Sequence, residues 1–151
     1  MSRLYPAFLG GRAALALLLV RVVMGTAFIM HGWPKIQKPL EWMPAEAGMP
    51  GVLQALAAVA EFGGGIALIP GLLTPLAALG ITCTMITAIA TFHVPHGHPF
   101  VGPPEKPSYE LAAGYLVNAL LLILVGPGKI SLDAFMFGRS PAQGPIIAVR
   151  S

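Results

Sequence analysis

Charge is scarce in this chain. Only 10% of its 151 residues are Asp, Glu, Lys or Arg, and 56% are hydrophobic, whereas soluble domains carry about 25% charged residues. The mean hydropathy is high, at +0.76. This composition excludes an ordinary soluble domain, and we expect a membrane protein that forms one compact helical unit.

Cysteine and cofactor motifs are equally scarce. Cys83 is the single cysteine, which excludes an intramolecular disulfide and a cysteine-based zinc cluster. The formal charge of +3 comes from basic residues near the ends of apolar segments, a distribution that does not suit nucleic acid. The sequence contains no phosphate-binding glycine loop, nucleophile elbow or haem-attachment motif. We therefore predict no tightly bound cofactor and no nucleic-acid partner.

Four apolar segments could cross a bilayer, since a helix rises ~1.5 Å per residue and needs ~20 residues to span it. They cover residues 13–33, 52–73, 76–92 and 109–125. The first is expected to end before Pro34, because proline removes a helical hydrogen bond. We predict an all-α, antiparallel four-transmembrane-helix bundle as a single membrane domain of residues 1–151. Its short polar tail, residues 129–151, is expected to begin with a surface helix from Ser131, as N-cap, to Phe137.

Lysine and arginine predict the orientation, because they are enriched in cytoplasmic loops. With four spans, the N-terminus, the turn between spans two and three, and the C-terminus share one face. That face holds five basic residues against three on the other: Arg3, Arg12, Lys129, Arg139 and Arg150 against Lys35, Lys38 and Lys106. We therefore expect both termini in the cytoplasm and both long loops outside.

An acid, Glu61, lies near the middle of the second segment. A charge at the bilayer centre costs ~2.5–3.5 kcal/mol, so it should have a partner. Counting residues from the segment ends places Arg21 and Asn118 at a similar depth, and we predict that all three face inward with Arg21 paired to Glu61. The group is either an ion pair that fixes helix register or the polar floor of a ligand site, and the sequence leaves both open.

A second group of polar residues comes from the outer ends of three segments. Histidine and carboxylate side chains suit proton exchange with a quinone or a small acid. The alternative is contact with lipid headgroups alone. The members of this group are His31, Trp33, Lys35, His93 and Glu110.

Three histidines, His93, His96 and His98, follow the third segment. Such close spacing occurs at zinc and copper sites, but here proline and glycine interrupt it and no cysteine contributes. We predict no metal site, with this trio as the alternative.

A series of short motifs lies in order along the four segments. They are Arg21, Gly25, Phe28, His31-Gly32 and Lys35; Glu61, Gly64-Gly65, Leu68, Gly71, Thr74 and Ala77-Ala78; His93; Tyr109-Glu110; and Gly126-Pro127-Gly128 with Ser131-Leu132-Asp133. In these motifs, from about residue 12 to residue 134, the chain resembles the DoxX family of small four-helix bacterial membrane proteins. The loop of residues 94–107 departs from the family in its length and its proline and histidine content.

The resemblance implies a location in the bacterial plasma membrane. It also implies a link to quinone, because some members oxidise thiosulfate with quinone as the acceptor, and others belong to membrane complexes that handle oxidative or thiol stress. A distant similarity to eukaryotic cargo receptors keeps a non-enzymatic function open.

We therefore predict a quinone-linked redox function in the membrane, with quinone as a diffusible acceptor. The electron donor would be a small sulfur compound or a partner protein, and the chain would act as a homo-oligomer or as the membrane subunit of an oxidoreductase complex. The alternative is a structural or assembly subunit, or a small-molecule carrier. The candidate ligand-binding residues are Arg21, His31, Lys35, Glu61, His93, Glu110 and Asn118.

Overall fold

Five α-helices form most of the chain that the structure, a computed structural model, describes: residue 5 and residues 7–138. They are α1 (Gly11–Gln37), α2 (Gly51–Leu68), α3 (Thr74–Ala88), α4 (Glu110–Val125) and α5 (Leu132–Phe137). A 3-10 turn, Ala45–Ala47, lies between α1 and α2, and a π-helical turn, Ile89–His93, extends α3. Within these described residues there is no strand, which confirms the all-α prediction for them.

Three of these helices are long and apolar enough to cross a membrane: α1, α2, and α3 together with its π turn. The fourth, α4, is also apolar but has 16 residues, about 24 Å of helix. The fold is therefore compatible with a membrane bundle of three full-length apolar helices and one shorter helix.

The helices pack in chain order, with α1 on α2, α2 on α3 and α3 on α4, while α4 also touches α1. The core between them is apolar and consists of Leu17, Met24, Phe28, Leu68, Ala77, Ala78, Ile81, Met85, Ala119 and Leu122. Large apolar side chains such as Leu19, Val23 and Leu124 remain exposed on the outward faces. Exposed apolar surface of this kind is suited to lipid.

The backbones of α1 and α2 approach each other closely at glycines. A Cβ atom at Gly65 would lie 2.7 Å from the Gly25 carbonyl oxygen, and one at Gly32 would lie 2.7 Å from the Phe62 Cα atom. No side chain fits at these two contacts, which is how small residues let membrane helices pack. The contacts fix an antiparallel register in which the end of α1 lies level with the middle of α2.

Several helix boundaries differ from the prediction. Proline was expected to stop α1, but the helix continues through Pro34 to Gln37, because proline removes only one hydrogen bond and Gly32 packs against α2 just before it. The additional turn carries Lys35. In addition, α2 ends at Leu68 instead of residue 73 and α3 begins at Thr74 instead of residue 76.

The beginning of α1, the α2–α3 turn and α5 meet at one end of the bundle, here called the turn end. Lys129 N donates to the Leu9 carbonyl at 2.8 Å, and Leu132 N donates to the Pro70 carbonyl at 3.0 Å. The predicted tail helix is confirmed, since the Ser131 hydroxyl accepts from Ala134 N at 3.1 Å as its N-cap. The opposite end, with the α1–α2 and α3–α4 loops, is called the loop end.

Three of the arginines used to predict the orientation, Arg3, Arg139 and Arg150, lie outside the described residues. The same is true of the predicted tail from residue 139 onward.

Candidate functional site at the loop end

A partly buried ion pair joins α1 to α2 at the loop end. Lys35 Nζ donates to both carboxylate oxygens of Glu61, each at 2.6 Å. The Glu61 side chain is 5% exposed and that of Lys35 is 22% exposed. Glu61 therefore depends on Lys35 for its neutralisation, while the lysine remains accessible from outside.

The predicted pairing of Arg21 with Glu61 is wrong. Arg21 Nη1 donates to the carbonyls of Leu68 and Ile69, both at 3.3 Å, and Nη2 donates to the carbonyl of Ile130. The prediction counted residues from the ends of the two segments, and it therefore assumed that both helices begin at the same depth in the membrane. The glycine contacts instead place Arg21 level with the end of α2, so that it belongs to the turn end.

Trp42, from the α1–α2 loop, covers Lys35. Its ring centroid lies 4.5 Å from Lys35 Nζ, a cation–π distance. Beside this contact is an open cleft of about 380 Å³, lined by Pro34, Lys35, Lys38, Glu41 and Trp42. An ammonium group has three N–H donors, so Lys35 can hold Glu61 with two and offer the third to a ligand in the cleft.

Gln54 holds the loop that carries Trp42. Its backbone carbonyl accepts from Trp42 Nε1, its side-chain oxygen accepts from Met43 N, and its Nε2 donates to the Met49 carbonyl, all at 2.9 Å. The sequence analysis did not single out this residue. The signal was present, because Gln54 is the other polar residue of an apolar helix and lies two turns before Glu61, on the same face.

Asp133 organises the turn end. Its Oδ1 accepts from Leu73 N at 2.7 Å and its Oδ2 from Thr74 N at 2.8 Å, so the carboxylate caps the first turn of α3 from a distant part of the chain. It also holds Leu73 in a left-handed conformation, with φ of 48°, that is costly for a non-glycine residue. Asp133 entered the sequence analysis only as part of a family motif.

Tyr5 completes this end by donating from its hydroxyl to Asp133 Oδ1 at 3.0 Å. Burial and the neighbouring Asp133 carboxylate raise the pKa of Tyr5 to about 12. The phenol therefore stays a hydrogen-bond donor at physiological pH. The Arg21 and Asp133 side chains bind backbone groups and Tyr5, which marks this end as structural. Arg21 Nε and the Thr74 hydroxyl are buried there without a hydrogen-bond partner in the described part of the chain.

The other predicted site residues have separate surroundings. His31 is exposed, and its ring centroid lies 6.3 Å from that of Phe28 and 6.2 Å from that of Tyr115. Asn118 donates to the Gly114 carbonyl of its own helix at 2.9 Å, so the prediction that it joins Arg21 and Glu61 inside the bundle is wrong. Glu110 is exposed at the first residue of α4, where its charge favours the helix dipole.

His93 lies in the π turn beyond α3 and contacts His98, with 3.2 Å between their Nδ1 atoms. His96 Nδ1 is 2.6 Å from the Phe92 carbonyl. Within residues 7–138 no set of three histidine, cysteine, aspartate or glutamate side chains is arranged to hold a metal ion. The structure thus brings together Lys35 and Glu61 from the predicted set and leaves the histidines in groups of their own.

Known proteins resemble the chain over most of its length. The chain is 32% identical over 126 residues to inner membrane protein YqjF of Escherichia coli (strain K12), an alignment that covers 79% of this chain and 90% of that protein. It is 31% identical over 123 residues to a protein of Bacillus subtilis (strain 168) named "Putative oxidoreductase CatD", covering 80% of this chain and 86% of CatD. No solved structure matches it significantly.

The family model named DoxX matches residues 16–94. This region runs from the first turns of α1 to the end of the π turn, and it includes Lys35, Glu61 and the glycine contacts that bring them together. The family match and the two relatives agree with the motifs of the sequence, and the chain belongs to the DoxX family.

Proposed function

We propose that this DoxX protein lies in the bacterial inner membrane and binds a quinone at the loop end as part of a quinone-linked redox reaction. The observation that carries the proposal is the Lys35–Glu61 ion pair at the edge of an open cleft. The names of the relatives agree with it, since YqjF is named an inner membrane protein and CatD is named "Putative oxidoreductase CatD". We further propose four membrane spans with the turn end in the cytoplasm.

The ion pair has the chemistry that a quinone headgroup requires. Reduction of a quinone to a quinol consumes two electrons and two protons, and each carbonyl oxygen becomes a hydroxyl. The third N–H of Lys35 can donate to one carbonyl oxygen and stabilise the negative charge that develops there. Glu61 lies 2.6 Å from the same ammonium group, so a proton given up by Lys35 can be replaced through the carboxylate.

The walls of the cleft suit a flat ring. Trp42 and Pro34 offer apolar surface beside Lys35, and an aromatic ligand gains most from an offset or edge-on contact with a tryptophan. Lys38 and Glu41 lie at the same cleft and leave it close to neutral together with the ion pair. A neutral quinone is therefore better matched than a multiply charged ligand.

The electrons must come from outside the chain, because its sequence carries no motif for a flavin, haem or iron–sulfur cluster. A small sulfur oxyanion is one source, since the joining of two thiosulfate ions to tetrathionate releases the two electrons that one quinone needs. A partner protein is the other. We propose that the chain acts in an oligomer or as the membrane subunit of an oxidoreductase complex.

The test is quinone binding to the purified full chain in lipid nanodiscs. We expect Lys35→Gln and Glu61→Gln each to weaken the binding of a quinone analogue about tenfold or more, equivalent to ~1.4 kcal/mol. Lys106→Gln and Glu105→Gln, at exposed positions of the other long loop, are matched controls and should leave the affinity unchanged. Absence of binding by the folded protein, both alone and in its native membrane, would refute the proposal.

An assay of quinone reduction distinguishes the redox function from a carrier or an assembly subunit. Native membranes that contain the protein should reduce the bound analogue when thiosulfate or the partner's substrate is added, and Glu61→Gln should slow that reduction. Binding without any reduction in such membranes would favour a carrier or an assembly subunit. His31→Ala and His93→Ala, examined in the same way, would show whether either histidine also contributes.

A further inference from the structure

Two half-buried histidine rings meet where the π turn passes into the α3–α4 loop. The Nδ1 atoms of His93 and His98 lie 3.2 Å apart, with 5.2 Å between the ring centroids and 70° between the ring planes. One of these nitrogens can carry the hydrogen of the contact and the other must present a lone pair. Two imidazole nitrogens thus already point at a common space.

An unusual backbone turn creates this arrangement. Val94 N donates to the Ile89 carbonyl at 2.9 Å and His98 N donates to the His93 carbonyl at 3.1 Å, both across five residues. Such π-type turns are rare and occur frequently at functional sites. A regular α-helix would place residues 93 and 98 more than a quarter turn apart, so the turn itself is what brings the two rings together.

The separation of the two nitrogens suits a metal chelate. Zinc binds imidazole nitrogen at about 2.0–2.1 Å, so two nitrogens on a tetrahedral ion are about 3.4 Å apart. On a square-planar copper(II) ion with bonds of similar length, two neighbouring nitrogens are ~2.9 Å apart. The observed nitrogen–nitrogen distance of 3.2 Å lies between these two values. A metal ion would replace the shared hydrogen, and the ring that loses it would carry its hydrogen on Nε2 instead.

The surroundings determine what kind of metal site this would be. The Phe92 ring centroid lies 5.2 Å from that of His93 and 5.3 Å from that of His98, which shields one side of the pair. His96 Nδ1 is engaged with the Phe92 carbonyl, and the described chain offers no arranged set of three ligands. Two protein ligands leave the remaining positions to water or to a small ligand, so the ion would exchange readily.

From this geometry we propose that His93 and His98 form a bidentate, open site for a divalent cation of the zinc or copper class. Imidazole nitrogen is a ligand that these metals favour. The site is separate from the Lys35–Glu61 cleft and does not depend on the quinone proposal. The histidine-rich loop departs from what the family resemblance implies. The proposed site gives this loop a binding function of its own.

The test is a titration of the full chain with Zn²⁺ and with Cu²⁺ by calorimetry. The protein is purified in detergent without a polyhistidine tag and first treated with a chelator. We expect one ion per chain, and a loss of affinity of at least about tenfold in His93→Gln and in His98→Gln, since even changes outside the ligand shell cost 10–100-fold. For Cu²⁺, electron paramagnetic resonance should show two equivalent nitrogen ligands.

His96→Gln and His31→Gln are the matched controls, because both replace an exposed histidine outside the pair. Each should keep the affinity of the unchanged protein. Binding that is equally tight in the His93→Gln/His98→Gln double variant would refute the site. Equal losses in His96→Gln and in His93→Gln would also overturn the bidentate proposal, because they would require a three-histidine site.

Discussion

The two ends of the bundle use their buried charges differently. At the turn end, Arg21 is fully buried and donates to three backbone carbonyls, and Asp133 accepts from two backbone N–H groups and from Tyr5. At the loop end, Lys35 and Glu61 bind each other beside an open cleft. Polar groups that are satisfied by the backbone stabilise the fold, whereas an accessible ion pair can exchange part of its contacts with a ligand.

The choice of cation agrees with this difference. Arginine has a rigid planar fork of five donors that can serve several carbonyls at once, and it stays charged in any protein environment. Lysine is a compact charge on a flexible stem, and it can lose a proton more readily when its surroundings change. An arginine therefore suits the fixed junction of α1, α2 and the segment before α5, and a lysine suits the accessible ion pair of the loop end.

The largest expected effect comes from removing the arginine of the turn end. Arg21→Ala leaves three backbone carbonyls without their donor. We expect a loss of about 3–5 kcal/mol, the range for breaking a buried charged contact, visible as a large fall in the unfolding temperature in detergent. Arg12→Ala, at an exposed position of the same helix, should change little. Equal destabilisation by both variants would contradict a structural turn end.

A smaller effect on stability is expected from widening the glycine contact between α1 and α2, which sets the register of the two helices. Gly65→Ala forces a Cβ atom to within 2.7 Å of the Gly25 carbonyl oxygen, and overpacking of this kind costs about 1–3 kcal/mol. At Gly63, two residues earlier, the nearest atom to such a Cβ is 3.9 Å away. Gly63→Ala should be neutral or stabilising by up to ~1 kcal/mol, the difference in helix propensity. Thermal unfolding of the two variants measures the contrast directly.

An effect on stability of similar or smaller size is expected at the loop end, where Gln54 holds the α1–α2 loop. Gln54→Ala removes two side-chain hydrogen bonds, worth about 1 kcal/mol each, and frees the segment that carries Trp42. In a Trp33→Phe background, we expect quenching of Trp42 fluorescence by a soluble quencher to increase. Gln37→Ala, which removes an exposed glutamine, should leave the quenching unchanged. A Trp42 signal that does not respond to Gln54→Ala would show that the loop is held by other contacts.

Much of the fold could be predicted from the sequence because apolar segment lengths and helix caps are local signals. The all-α class, the approximate positions of the helices and the Ser131 cap follow from composition and from short patterns. The boundary at Pro34 could not be predicted by a local rule, because a tertiary contact at Gly32 supports the helix beyond the proline.

The two charged residues of the ion pair could be predicted, but their pairing could not, and neither could the role of Gln54. Lys35 and Glu61 were both in the predicted set, since charges are rare in an apolar chain and each stands out. Their pairing depends on helix register, which backbone contacts at glycines determine and which counting from segment ends does not reveal. Asp133 was missed for a related reason: its partners, Leu73 and Thr74, are 60 and 59 residues away in the chain.

The most direct measurement is a pair of double-mutant cycles on unfolding in detergent. The central claim is that Glu61 pairs with Lys35 at the loop end and that Arg21 acts separately at the turn end. Lys35→Gln and Glu61→Gln should be coupled by about 1–2 kcal/mol, whereas Arg21→Gln and Glu61→Gln should be additive to within ~0.5 kcal/mol, as expected of distant sites. Coupling of Arg21 with Glu61, together with additivity of Lys35 and Glu61, would contradict this account.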